Sequence, residues 1–216
     1  MIKAWSYKEE YKLLSNKILK SLDKVFKSNQ LFFGEELKKF ERIFLKTNKS
    51  KYGIGVKSGT EALIVALKTL KIKINDEVIT VSNTAIPTIS AIKNVGAKVK
   101  FVDVCNDYLI DTEDLKKKIT SKTKAIIVVH LYRQSCDMTK ICAIAKKNRI
   151  KIIEDCAQAH GAKHKGINVG NFGDIGCFSF YPTKNLGSYG DGGFLTTKKL
   201  SLYKKIKRIR FYGIEQ

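Results

Sequence analysis

Lys184 is the side chain of this sequence best placed for covalent chemistry. It follows an alternating aromatic segment, Phe178-Ser-Phe180, that is typical of a short buried strand, and Pro182 interrupts regular structure just before it. The residues after it are rich in glycine and small polar side chains, which predicts a loop at a strand exit. A lysine amine becomes a good nucleophile where its surroundings favour the neutral form. A solvated loop lysine is the alternative.

A carboxylate is predicted at the end of another buried strand. The run Ile152-Ile-Glu-Asp155 places Asp155 at the carboxyl end of that strand, and Gln158 follows closely. A buried carboxylate costs desolvation free energy unless a cation meets it. A protonated pyridine nitrogen is one cation of this kind.

Small and hydroxylated residues at two further strand ends suit an anion. Gly59 and Thr60 follow a short strand and open a helix, where free N–H groups and the Thr60 hydroxyl favour phosphate. Ser179, on the strand before the lysine, is placed to join them. The alternatives are that Ser58 or Thr60 only caps the helix, and that Ser179 is an ordinary strand serine.

Pyridoxal phosphate (PLP) is the cofactor that these features predict together. The segments fall at strand ends, on the edge where open parallel sheets bind ligands. PLP enzymes combine a Schiff-base lysine with an aspartate at the pyridine nitrogen and a site for the phosphate. Each feature alone is weak, and the combination is specific.

Alternating strands and helices must position these side chains. The pattern predicts an N-terminal arm with entry helices over residues 1–48, and one PLP-binding α/β domain with a mostly parallel sheet over residues 49–216. The predicted strands are 52–56, 77–81, 98–102, 125–130, 150–154, 178–180 and 193–196. The predicted helices are 6–28, 35–45, 60–70, 87–94, 112–119, 139–148 and 200–209.

Charge composition bears on the choice of partners. The 216 residues carry a formal net charge of +21, which is compatible with nucleic-acid binding. The lysines are nevertheless spread along the whole chain, and no nucleic-acid motif accompanies them. We therefore predict solvated helix faces, no nucleic-acid partner, and a positive field that attracts a small anionic substrate.

Cysteine, histidine and apolar patterns predict a cytoplasmic protein without a metal site. The five cysteines are an odd number without a C-x-x-C pair, which suits a reducing compartment better than disulfides or zinc, and the three histidines show no metal-ligand spacing. No apolar stretch predicts a membrane span, and the N-terminal residues lack the apolar core of a signal peptide.

Several motifs in order resemble one family. The chain is similar over nearly all of its length to the DegT/DnrJ/EryC1/StrS sugar aminotransferases, which are fold-type I PLP enzymes. The motifs are Ser58-Gly-Thr-Glu-Ala-Leu63, Asp76-Glu-Val-Ile-Thr80, Val129-His-Leu-Tyr132, Glu154-Asp-Cys-Ala-Gln-Ala-His-Gly161 and Phe178-Ser-Phe-Tyr-Pro-Thr-Lys-Asn-Leu-Gly187. The resemblance implies the three-layer αβα large domain of that fold.

The resemblance also implies roles and a reaction. Lys184 would hold the cofactor and then shuttle protons, Asp155 would keep the pyridine nitrogen protonated, and Gln158 would bond the 3-oxygen. The residues of the predicted cradle, Gly59, Thr60 and Ser179, would hold the phosphate. Glutamate would donate an amino group to a keto-deoxysugar nucleotide, such as a dTDP-3- or 4-keto-6-deoxyhexose, for surface-polysaccharide or glycan biosynthesis. A homodimer is implied.

Three departures from the family pattern limit this transfer. Ala85 stands where many members place an aromatic residue over the cofactor ring, and Arg133 stands where glycine is usual, which means strain if φ is positive there. Members also continue beyond a motif like Arg210-Phe-Tyr-Gly213 into a small C-terminal domain, which we expect to be absent or supplied by a separate chain. A truncated, catalytically inactive PLP-binding or interaction protein is the rival hypothesis. A family branch with histidine in place of Lys184 performs dehydration, so lysine favours transamination.

Overall fold

A computed structural model describes residues 6–214 of the chain. The chain divides into two compact units, Met1–Phe44 and Leu45–Gln216. Residues 1–5 and 215–216 of the predicted arm and domain lie outside the described residues. The functional division between residues 48 and 49 stays a prediction.

The first unit is helical. Helix α1 (Tyr7–Lys27) begins after Ser6, whose hydroxyl accepts the Lys8 N–H, and no residue of this helix is buried. Helix α2 (Glu35–Asn48) begins in this unit, and Lys24 of α1 pairs with Glu36 of α2. The predicted entry helix therefore extends three residues beyond its expected end.

The second unit is built on strands that alternate with helices, as the sequence pattern predicts. The strands are β1 (Tyr52–Val56), β2 (Glu77–Val81), β3 (Lys98–Val102), β4 (Thr123–Val129), β5 (Lys151–Asp155), β6 (Lys163–His164), β7 (Ile167–Asn168), β8 (Ile175–Ser179) and β9 (Gly193–Thr197). The helices are α3 (Gly59–Thr69), α4 (Ile86–Asn94), α5 (Thr112–Lys118), α6 (Met138–Asn148) and α7 (Leu200–Arg210).

One seven-stranded sheet has the order β1-β9-β8-β5-β4-β2-β3. Strands β3, β2, β4, β5 and β8 are parallel, whereas β9 runs antiparallel to both β8 and β1. Strand β1 therefore has the same direction as the parallel set. The carboxyl ends of β1, β2, β4, β5 and β8 all lie at one edge of the sheet, which is where we expected a ligand site.

Helices cover this sheet and complete the predicted three-layer α/β fold. Helix α3 packs against α4 and α7, and α5 packs against α6. Strands β4, β8 and β9 are buried along most or all of their length, so they read as continuous apolar runs rather than alternating ones. The apolar core includes the large buried side chains Ile54, Leu67, Ile126, Ile141 and Leu195.

The structure adds one element to the sequence prediction and shifts others. A two-residue hairpin, β6 with β7, was not predicted because strands this short carry no readable period. Strand β5 runs from Lys151 to Asp155, one residue later than predicted. Strand β8 begins at Ile175, three residues before the predicted start, because Gly176 and Cys177 mask the alternation.

A buried carboxylate ties the edge of the sheet to a neighbouring loop. Glu154 accepts backbone N–H groups from Gly170, Phe172 and Gly173, each at 2.8 Å. His130 Nε2 lies 3.2 Å from the same carboxylate, and both side chains are fully buried. Burial opposes ionisation, but the hydrogen bonds from His130 and the backbone hold the pKa of Glu154 below its ordinary value.

The ring of His130 is neutral in this arrangement. The carboxylate favours a protonated ring, yet Nδ1 accepts the Cys136 N–H at 3.1 Å, and a proton on Nδ1 would face that group. The proton therefore lies on Nε2, which donates to Glu154. This pair fixes both the 130–136 turn and the 170–173 loop.

We expect Glu154→Gln to lower the free energy of unfolding by about 3 kcal/mol, because its amide group would face backbone N–H donors in the interior. Urea denaturation followed by circular dichroism measures this. The control Glu113→Gln changes the same functional group at an exposed helix start, beside Lys116, and is expected to change stability by less than about 0.5 kcal/mol. Equal effects of the two substitutions would contradict the structural role of Glu154.

Candidate active site

A cavity of about 230 Å³ opens at the carboxyl edge of the sheet. Its wall includes every side chain that the sequence singled out as a site residue: Gly59, Thr60, Asp155, Gln158, Ser179 and Lys184. These residues come from three separate segments of the chain, 59–60, 155–158 and 179–184. The sheet brings them together because β1, β5 and β8 end at this edge.

Asp155 is the buried acid of this cavity. The residue is 6% exposed. Its carboxylate accepts one hydrogen bond from the Thr88 hydroxyl at 2.8 Å and another from the Ala157 N–H at 3.1 Å. Within residues 6–214, no cation forms an ion pair with it. Burial raises the pKa of Asp155, and the two hydrogen bonds and the charge of Lys184 offset this only in part. A cationic ligand in the cavity would stabilise the carboxylate.

The start of α3 forms a cradle of hydrogen-bond donors. Ser58 caps the helix by accepting the Glu61 N–H at 3.1 Å, so the capping alternative holds for Ser58. In the described part of the chain, the N–H groups of Gly59 and Thr60 and the Thr60 hydroxyl have no protein partner. Ser179 accepts the Tyr181 N–H at 3.3 Å and keeps its own proton available. This arrangement suits a phosphate group.

Gly59 is required by close packing in the cradle. A Cβ at this position would lie 2.5 Å from the Ser179 Cβ, far inside normal contact. The partner strand shows the same constraint, because a Cβ at Gly193 would lie 2.2 Å from the Ser58 carbonyl oxygen. The absence of side chains at both positions lets the β1–α3 turn approach the end of β8.

Lys184 lies in an irregular loop, as the sequence predicts, and the loop is closed at its base. Ser188 donates to the Phe180 carbonyl oxygen from both its N–H and its hydroxyl, each at 2.8 Å. The Phe180 N–H donates to the Gly192 carbonyl oxygen at 2.8 Å, and the Lys184 N–H closes a turn onto the Tyr181 carbonyl oxygen at 2.9 Å. The lysine is thereby held at the exit of β8, against the cavity.

The sequence did not single out Thr88, which lines the cavity, or His160, which packs behind its wall. Thr88 orients Asp155, and its hydroxyl also meets the Thr84 hydroxyl at 2.8 Å. His160 packs near Phe178 and Phe180, and burial lowers the pKa of its ring to about 4. The proline-flanked segment before α4 was noted only as a family motif, and a helical threonine gives no sign in the sequence that it faces an acid.

Two of the three departures noted in the sequence lie at the cavity or beside it. Ala85 lines the cavity and precedes α4. Arg133 has a φ of 64° and Tyr132 a φ of 51°, so the turn does have the left-handed backbone that favours glycine. The Arg133 N–H donates to the Gln158 carbonyl oxygen at 3.0 Å, which ties this turn to the cavity wall.

One group of possible metal ligands occurs among the described residues. Atoms of His130, Glu154 and Cys156 lie within 4.8 Å of one another in the interior. The ring nitrogens and the carboxylate oxygens already take part in hydrogen bonds with each other and with the backbone. This group is therefore a structural network. Across the described residues, no helix has both the length and the apolar character needed to cross a membrane.

A profile of the DegT/DnrJ/EryC1/StrS aminotransferase family matches residues 12–216. The chain belongs to this family. This confirms the resemblance read from the motifs and the fold class that it implied.

Relatives in the DegT/DnrJ/EryC1/StrS family include sugar transaminases. The chain is 44% identical over 213 residues to a dTDP-3-amino-3,4,6-trideoxy-alpha-D-glucose transaminase of Micromonospora megalomicea subsp. nigra, covering 98% of this chain and 57% of the relative. It is 48% identical over 197 residues to a dTDP-3-amino-3,6-dideoxy-alpha-D-galactopyranose transaminase of Aneurinibacillus thermoaerophilus, covering 91% and 54%. The chain thus spans about half the length of the curated relatives it matches.

A solved structure supports the same assignment. DesV of S. venezuelae superposes with a TM-score of 0.93 at 36% identity, covering 98% of this chain and 57% of DesV. Two other similar solved structures, at 32% and 30% identity, carry the amine form of the cofactor or a PLP–glutamate adduct. PLP, the cofactor predicted from the sequence, is therefore the cofactor of the family to which this chain belongs.

The residues present fit that cofactor. Asp155 is a buried carboxylate that lacks a cation, which a protonated pyridine nitrogen would supply. The hydrogen-bond donors of the cradle match a phosphate. Gly59 has no side chain that would occupy the space between the turn and Ser179. Lys184 and Gln158 line the same cavity. Charge, size of side chains and position all agree with PLP.

We expect Asp155→Asn to stabilise the cofactor-free chain at pH 8 by roughly 1 kcal/mol, because it removes a buried charge while an asparagine can keep both hydrogen bonds. The pKa of Asp155 is raised in the folded state, so the wild type loses stability as pH rises above about 4, the unfolded value. The gain should therefore vanish near pH 4. Urea denaturation from pH 4 to 8 measures it.

The matched control is Asp137→Asn, at the start of α6. Hydrogen bonding to the Lys140 N–H is the main cause that lowers the pKa of Asp137, so its charge stabilises the fold above about pH 4. The control is expected to have the opposite sign at pH 8. A gain at Asp137, or a loss at Asp155, would contradict this account of the cavity.

Proposed function

We propose that this chain is the cofactor-binding part of a PLP-dependent aminotransferase that moves an amino group from glutamate to a keto-deoxysugar linked to a nucleotide. The observation that carries the proposal is the meeting of Asp155, Lys184 and the donor cradle in one cavity. The similarity to two dTDP-sugar transaminases supports the nucleotide-sugar substrate. A role in surface-polysaccharide or glycan biosynthesis belongs to this proposal as an expectation from the family.

Each residue has a task that its surroundings favour. The N–H groups and hydroxyls of Gly59, Thr60 and Ser179 would hold the phosphate, and Gln158 would bond the 3-oxygen. Asp155 would keep the pyridine nitrogen protonated, since Thr88 and Ala157 already orient its carboxylate. Asp155 is buried, so solvent would screen an ion pair between its carboxylate and the pyridine nitrogen only weakly.

The reaction needs one mobile proton carrier near the bound cofactor. PLP, when bound, supplies an electron sink for the substrate carbanion. Lys184 is the amine on the cavity wall that would hold the cofactor covalently and, once displaced by the incoming amine, move a proton to and from the substrate carbon. The closed base of its loop limits the positions its side chain can take.

The homodimer, the cytoplasmic location and any separate chain that completes the substrate cleft belong to this proposal as expectations from the family. The positive charge of the chain supports capture of an anionic nucleotide sugar. The rival proposal, a catalytically inactive PLP-binding or interaction protein, predicts cofactor binding without amine transfer.

An absorbance titration separates these possibilities. We expect added PLP to give the spectrum of a protein-bound cofactor, and glutamate to convert the bound cofactor to its aminated form with release of 2-oxoglutarate. A spectrum that forms and ignores glutamate would support the inactive rival. Failure to bind PLP at all would contradict the proposed function for this chain.

The covalent role of Lys184 has its own test. Borohydride reduction followed by peptide mass spectrometry is expected to label Lys184 in the wild type, and Lys184→Ala should abolish the label completely. The control Lys204→Ala removes an exposed lysine of α7 and should leave labelling unchanged. A label that persists at the same peptide in Lys184→Ala would show that the assignment is wrong.

A further inference from the structure

A second cavity, of about 380 Å³, lies beside the cofactor cavity. The two share Gln158 and Lys184 as common wall. The lining of the second cavity is completed by Tyr132, Arg133, Thr183 and Asn185. Each of these side chains offers a hydrogen-bond donor, and no acidic residue lines the cavity in the described part of the chain. A lining of this composition is suited to an anion.

Arg133 is the strongest anion-binding group of this lining. Its guanidinium is exposed and, within residues 6–214, forms no hydrogen bond or ion pair with the protein. A guanidinium presents its donors as a planar fork that matches a carboxylate or a phosphate with two parallel hydrogen bonds. The donor set is therefore available to a ligand that enters the cavity.

The backbone fixes the point from which the Arg133 side chain extends. Arg133 has a φ of 64°, and its N–H donates to the Gln158 carbonyl oxygen at 3.0 Å, while the Gln134 N–H donates to the Leu131 carbonyl oxygen at 2.8 Å. Tyr132, at a φ of 51°, places its ring edge against Tyr108, with centroids 6.0 Å apart. Hydrogen bonds and this ring contact thus hold the turn against the wall that both cavities share.

The left-handed backbone of Arg133 carries a steric cost, and no helix end accounts for it, because Arg133 lies in a turn. Glycine would adopt this backbone without the steric cost that any Cβ brings. Strained residues persist mainly where the surrounding structure or the function holds them, and they cluster at ligand sites. Arg149, in contrast, has its φ of 55° at the end of α6, where left-handed residues commonly terminate helices.

We propose that the second cavity binds the oxyanion group of a substrate, with Arg133 as the anchoring and specificity-determining side chain. Because Lys184 is in both cavities, a ligand anchored at Arg133 has its remaining atoms at the lysine and the cofactor site. The inference rests on the proposed function. Two groups share this chemistry: the carboxylate of the amino donor and the diphosphate of the nucleotide sugar.

The test compares two matched arginine variants. Arg133→Gly and Arg149→Gly each remove one positive charge and one left-handed arginine, but only the first removes the cavity donor. Calorimetric titration with glutarate, and separately with thymidine diphosphate, is run on each variant with and without PLP. Neither probe carries a reactive amine or keto group, so the readout is binding alone.

We expect the wild type to bind at least one probe. Arg133→Gly should lower the affinity for that probe by about tenfold or more, because a charge-assisted hydrogen-bonded pair is lost. Arg149→Gly should stay within about twofold, and Arg133→Lys should retain part of the affinity because it keeps the charge without the fork. Loss confined to glutarate assigns the cavity to the amino donor. Loss confined to thymidine diphosphate assigns it to the nucleotide.

Several results would overturn the inference. These are a wild type that binds neither probe, an Arg133→Gly variant that binds as the wild type does, and equal losses in both glycine variants, which would indicate only a general electrostatic field. Failure of the proposed function is distinguishable, because it appears as a chain that does not load PLP. Probe binding without PLP still tests Arg133 in that case.

Discussion

The buried carboxylate of Glu154 is the contact on which this edge of the molecule depends. It accepts hydrogen bonds from three backbone N–H groups and the His130 ring in the buried interior. Successive residues of a strand point to opposite faces, so the next carboxylate, Asp155, faces the cavity instead. Two neighbouring acids in one strand thereby acquire opposite properties. Glu154 accepts four hydrogen bonds and has a structural role. Asp155 accepts only two and, among the described residues, has no cation paired with its charge.

The same network shapes both cavities. His130 orders the turn that carries Arg133, and that turn contacts Gln158 through the backbone. The cofactor cavity combines an acid with a phosphate cradle, whereas every side chain that lines the neighbouring cavity offers a donor and, in the described part of the chain, none is acidic. The first cavity therefore suits a cofactor that carries both a cationic ring and an anionic phosphate, and the second suits an anionic substrate group. Lys184, on the common wall, is accessible to both.

Much of this arrangement was predictable because it follows from the alternation of apolar strands and amphipathic helices along the sequence. Apolar runs marked the strands, and parallel strands must present Asp155, Ser179 and the turn at Gly59 at one edge. The hairpin at residues 163–168 escaped prediction because two-residue strands have no period. Thr88 escaped because its partner is distant in sequence. The second cavity escaped because it depends on backbone angles in a turn, which residue types near Arg133 suggest but do not determine.

The pairing of β1 with β9 has a consequence for how the protein is made. Tyr52 lies opposite Thr197, so the strand that leads into the phosphate cradle pairs with a strand 145 residues further along the sequence. Contacts so distant along the chain form slowly and demand that the intervening segments be ordered first. During synthesis, the cradle at Gly59 emerges early but cannot be completed until β9 has left the ribosome. The order of translation therefore places cofactor capture after the synthesis of β9.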